Sequence, residues 1–75
     1  MTLENFIEKF AAEFEETPLE LFTADADYKS LDEWGSLTAL SIISMVDENM
    51  DKRITGADIR NSTTIKDLYE LAQSK

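Results

Sequence analysis

The chain has 75 residues, 43% of them apolar and 31% charged, with no cysteine and no histidine. That composition removes disulfides, thiolate nucleophiles, imidazole bases and the usual zinc ligands, and the length leaves no room for a deep cleft between lobes. Sixteen acids against seven bases give a net charge of −9, which opposes binding to nucleic acid or anionic membrane and favours partners with basic surfaces.

Leu3, Phe6, Ile7, Phe10 and Phe14 recur at spacings of three and four, with Glu4, Glu8, Lys9, Glu13 and Glu15 on the other side. The pattern predicts an amphipathic helix over about residues 2–16, broken at Thr17 and Pro18 because proline disfavours a helical residue before it. A long connection from Pro18 to Gly35 follows. Its apolar residues, Leu19, Leu21, Phe22, Tyr28, Leu31 and Trp34, show no sustained period. Loops of this length are uncommon unless functional or packed by their own side chains, and these residues are expected to supply that packing. Trp34 is expected to anchor the loop.

A second helix is predicted from Ser36 to about Met50, with Leu40, Ile43, Met45 or Val46, and Met50 as its inward stripe. Ser36 is read as its N-cap, a role worth about 1 kcal/mol over alanine. After Asp51, Lys52 and Arg53 the chain turns, and residues 56–61 form one short helix carrying Ile59. Thr63 or Thr64 caps a last helix whose face is Ile65, Leu68, Leu71 and Ala72, with Asp67 in a capping-box relation to Thr64. The fold class is all-α: a small bundle of three main helices and one short one, a single domain over residues 1–75, with a long first loop. The acids are not spread evenly. Residues 1–36 hold ten acids and two lysines, a net of −8, whereas residues 37–75 hold six acids and five bases, a net of −1.

No run approaches the roughly eighteen apolar residues of a membrane span, and the start Met1-Thr2-Leu3-Glu4 lacks a basic region, so a cytoplasmic monomer without membrane insertion is expected.

Ser36 at a helix N-terminus stands where a phosphate ester is favoured, because free N–H groups and the positive end of the helix dipole both attract an anion. The order of elements, the Phe-rich first helix, the loop ending in Leu31, the Ser36–Leu37 pair, the "ITGADIR" segment and the final "TTIKDLYELA" together resemble the acyl carrier protein family over the whole chain. The resemblance implies 4′-phosphopantetheine, covalently attached at Ser36 by a phosphopantetheinyl transferase. It implies a carrier, not an enzyme, presenting acyl or aminoacyl groups to fatty acid, polyketide or nonribosomal-peptide type loading and condensing enzymes with basic docking surfaces. Leu37, Leu40, Asp47 and Glu48 are the expected partner contacts, with Trp34 and Gly35 as neighbours of the attachment site.

The chain departs from the family at Gly35, where an aspartate usually precedes the serine and helps the transferase dock. Its second helix also carries Thr38, Ser41 and Ser44 where acids are frequent. The alternative is a carrier-fold interaction module that lost attachment with that aspartate. A third reading puts Asp47, Asn49, Asp51, Ile54 and Asp58 at positions of a calcium-binding loop. It fails at Lys52, where the sharp turn needs glycine, and at Asp58, where a longer bidentate glutamate belongs, so no metal site is expected. An enzyme reading fails because Ser36 has no neighbouring base to activate it.

Overall fold

The computed structural model describes residues 1–75 and is all-α: α1 (Leu3–Ala11), α2 (Ser36–Met50), α3 (Gly56–Asn61) and α4 (Ile65–Gln73). The long connection between α1 and α2 carries two 3-10 turns, Leu19–Leu21 and Tyr28–Ser30, and makes one isolated antiparallel bridge, Asp27 to Thr64. No helix is long and apolar enough to cross a membrane.

Three helix starts are built alike. Thr2, Thr55 and Thr64 sit in extended backbone just before α1, α3 and α4, and each hydroxyl accepts a backbone N–H three residues on. Asp58 and Asp67 complete capping boxes by accepting the N–H of the capping threonine, so the relation expected between Thr64 and Asp67 is present and Thr64, not Thr63, is the cap. The Lys75 ammonium beside Asp58 and the Thr55 N–H hold that carboxyl below its ordinary range. The N–H groups of Thr64 and Thr63 do the same for Asp67.

The core is aromatic at one end and aliphatic at the other. Phe6, Phe10, Phe14, Phe22 and Tyr28 are buried and interlock, with Phe10 at 5.3 Å and 5.6 Å from the Tyr28 and Phe14 rings and Phe14 at 4.9 Å from Phe22. Ile42, Met45, Val46, Ile54, Ile59, Ile65, Leu68 and Ala72 fill the rest. Tyr28 is wholly buried, and its hydroxyl bonds the Ser62 hydroxyl and the Ile59 carbonyl, which closes the long loop onto α3. Burial pushes the Tyr28 phenol above its ordinary pKa, against the pull of the Ser62 bond, so it stays protonated at neutral pH. The Lys29 ammonium donates to the carbonyls of Ile59 and Arg60 at 3.0 Å and 3.3 Å and closes the C-terminal end of α3.

Five expectations are corrected. The first helix ends at Ala11, with Ala12 as its C-cap, instead of running to residue 16. The turn tightens there: the N–H groups of Glu13 and Phe14 donate three residues back, to the carbonyls of Phe10 and Ala11, and those of Glu15, Glu16 and Thr17 then donate to the Glu33 carboxylate instead of to carbonyls one turn back. Phe14 nonetheless reaches the core, because the chain turns at Glu13 and Phe14. Second, the inward stripe of α2 is Ile42, Met45 and Val46, with Ile43 and Met50 half-buried and Leu40 60% exposed. Third, Gly35 is the N-cap of α2, and Ser36 is its first helical residue. Fourth, the long loop packs through Phe22, Tyr28, Leu31 and Trp34, joined by Ala26, while Leu19 and Leu21 are exposed. Fifth, in α4, Leu71 is half-buried and not a full core member.

Candidate functional site

The N-terminal end of α2 differs from the other three helix starts because glycine has no side chain with which to cap it. Gly35 is fully extended (φ −176°, ψ −176°), and a Cβ built on it would meet nothing within 4 Å. The first N–H groups of α2 therefore lack a side-chain acceptor and face outward beside the exposed Ser36.

Everything immediately before this opening is pinned. The Trp34 ring packs 5.0 Å from Tyr28 and 6.5 Å from Phe14, so the tryptophan does anchor the loop. Glu33 is tied to the backbone of residues 15–17, and the Thr17 hydroxyl together with the N–H groups of Glu16, Glu15 and Thr17 holds its carboxyl below the usual carboxylate range. The Thr38 hydroxyl donates back to the Glu33 carbonyl at 2.8 Å. Only Gly35, Ser36 and Leu37 project in full.

The residues named from the sequence share one surface. At 3.6 residues per turn, Ser36, Leu37, Leu40, Ser44, Asp47 and Glu48 fall within about a third of the helix circumference, opposite the buried Ile42, Met45 and Val46. Leu37 is 81% exposed and Leu40 60%, two large apolar side chains left in water next to the serine, and Asp47 and Glu48 lie exposed farther along the same face. Leu37, Leu40 and Glu48 also border an open groove of about 620 Å³ whose other wall is Lys9 of α1, its C-cap Ala12 and the following Glu13.

On its other side Ser36 borders a shallow cleft of about 390 Å³ with Trp34, Gly35 and Ala39 on one wall and Gly56, Ile59 and Arg60 of α3 on the other. Lys29 completes that wall, and no carboxylate lines it, although the chain carries sixteen acids. The cleft is thus bordered by two basic side chains and no acid in an anionic protein, although the Lys29 ammonium also serves the Ile59 and Arg60 carbonyls. It contains neither an imidazole nor a carboxylate to take a proton from Ser36. The calcium-loop residues do not converge: Asp47 and Asn49 are on α2, and Asp58 is spent on Thr55 and Lys75. No group of three or more metal-binding side chains occurs anywhere in the chain.

The sequence offered no sign of the Glu33 clamp or of Lys29 and Arg60 beside the serine. The partners of Glu33 lie 16 to 18 residues before it, and Lys29 is held at the serine's cleft by the carbonyls of Ile59 and Arg60, 30 and 31 residues away, so no local period reveals either. Comparison with family models, with curated proteins and with solved structures returned no significant match.

Proposed function

We propose that this chain is a carrier domain of the acyl-carrier type, bearing 4′-phosphopantetheine on Ser36 and presenting acyl or aminoacyl groups to separate enzymes. The observation that carries this reading is the open α2 start: an exposed serine beside uncapped N–H groups and a cleft lined by Lys29 and Arg60 without a carboxylate. Those residues fit a phosphodiester, since dipole, N–H groups and cations all favour an anion there. Gly35 leaves free space on the approach. When bound, the arm would supply the thiol this cysteine-free chain lacks and carry its cargo as a thioester.

The protein's own residues then bind and orient. A tethered cargo before a docked partner acts at roughly millimolar effective concentration, so catalysis belongs to the partner and none is required of the carrier. Leu37 and Leu40 offer the apolar contact, and Asp47 and Glu48 on the same face supply charge that steers a basic enzyme surface. Docking of that kind weakens as salt rises.

Intact mass after incubation with a broad-range phosphopantetheinyl transferase and coenzyme A tests the reading. One prosthetic-group mass is gained by the wild type and none by Ser36→Ala. An unchanged wild-type mass with several transferases refutes attachment and favours the interaction module that lost it with the aspartate replaced by Gly35.

A further inference from the structure

Glu33 is bonded on both of its sides. Its carboxylate accepts the N–H groups of Glu15 at 3.1 Å and Glu16 at 2.8 Å, and both the N–H and the hydroxyl of Thr17. Its main-chain carbonyl accepts the Thr38 hydroxyl. One residue therefore fastens the chain leaving α1 to the first turn of α2. Between those two ties lie only Trp34, Gly35, Ser36 and Leu37. Trp34 is held by its ring packing, whereas nothing lies within 4 Å of the Gly35 Cβ position and the side chains of Ser36 and Leu37 stand in solvent. Ser36 thus has no contact that fixes its own direction, and its presentation is inherited from the anchors before and after it.

Four donors converging on two carboxylate oxygens distinguish Glu33 from the solubilising acids around it. Asp32, Glu15 and Glu16 are exposed, and Glu33 alone is half-buried with its oxygens facing backbone N–H groups. A carboxylate held by several charge-assisted bonds is a geometric fixture. We infer that Glu33 is a positioning residue for modification at Ser36: by locking residues 15–17 to the head of α2 it fixes the direction in which the serine is presented to a transferase. The inference rests on the reading of Ser36 as the attachment site.

Steady-state modification of the wild type, Glu33→Gln, Glu33→Asp and Thr38→Val by a transferase with coenzyme A tests it. If only the fraction of chains with a correctly presented serine binds productively, the apparent KM for the carrier rises by the reciprocal of that fraction, about tenfold for Glu33→Gln, with kcat nearly unchanged. Glu33→Asp keeps the charge but shortens the reach, and it falls with Glu33→Gln. Thr38→Val, which releases the other tie and leaves the carboxylate clamp in place, shifts KM in the same direction. In all three, quenching of Trp34 fluorescence by acrylamide increases while helical circular dichroism is retained. Should Glu33→Gln lose its helical signal, Thr38→Val decides by the same criterion.

Wild-type kinetics in Glu33→Gln and Thr38→Val overturn the inference and leave the carrier reading intact. Full activity in Glu33→Asp with loss in Glu33→Gln also overturns it, because charge and not position would then be what the transferase reads. A wild-type chain that no transferase modifies overturns both.

Discussion

Replacing Gly35 by aspartate makes α2 start as the other three helices do, and the structure sets the size of the effect. The backbone is already extended, as an N-cap requires, and the new Cβ enters open space, so no repulsive contact opposes the change. Three terms favour the variant: a side-chain cap over glycine, a few tenths of a kcal/mol; an anion at the helix N-terminus, about 0.3–1 kcal/mol; and a less flexible unfolded chain, about 0.4–1 kcal/mol. Repulsion from the exposed Asp32 and from a chain of net charge −9 subtracts part of this. A net gain of about 1 kcal/mol raises the Tm of a domain this size by roughly 4–8 °C.

Gly35→Asn keeps the cap without the charge and gains less. Gly35→Ala gains unfolded-state entropy but is a poorer cap than glycine, so it stays near the wild type. Thermal melts by circular dichroism at pH 7 should therefore rank Asp above Asn above Ala. The advantage of Asp over Asn should vanish as pH falls below about 3, because a capping carboxylate has a lowered folded-state pKa and its contribution is lost on protonation. An aspartate variant melting at or below the wild type, or level with alanine, would refute the assignment of Gly35 as an uncapped helix start. The same variant should be modified faster at Ser36, and equal or slower rates would mean that the missing carboxylate does not limit that reaction.

Ile42→Ala, at a side chain wholly out of solvent, should cost about 2–5 kcal/mol in chemical denaturation, whereas Leu40→Ala should stay within about 0.5 kcal/mol and instead weaken partner docking. Equal losses at the two positions would contradict the inward face assigned to α2. Tyr28→Phe removes the hydroxyl bonded to Ser62 and Ile59 while Ser62 keeps its own bond to Ile59, so a loss of about 1–1.5 kcal/mol, or roughly 5–10 °C in Tm, is expected. Asp58 and Asp67 have folded-state pKa values below their ordinary ones, so each adds stability that is present above about pH 4 and lost as pH falls through the folded value. The Tm gap between wild type and Asp67→Asn should accordingly be full at pH 6 and shrink by pH 3, and a gap independent of pH would disprove the role of the charge.

Local patterns determined much of this protein. The bounds of α2 and α3, the Thr64 cap with Asp67 and the exposed serine at a helix start were legible because capping and helical periodicity act over three or four residues. What those patterns left undecided was which of two apolar sets faced inward. Along α2 the sequence permits a stripe through Leu40 as readily as one through Ile42, Met45 and Val46, and packing against α1 and the long loop selected the second. That choice is what left Leu37 and Leu40 in water on the Ser36 face. The path of the chain after α1 was likewise settled from a distance, by a carboxylate at position 33 that takes the N–H groups of Glu15, Glu16 and Thr17. The cleft bordered by Lys29 and Arg60 joins the loop before Ser36 to α3 through contacts that exist only once the chain has folded. Capping and periodicity are properties of neighbours in sequence, whereas burial, clamps and clefts depend on which distant surfaces meet, and only the tertiary structure specifies that.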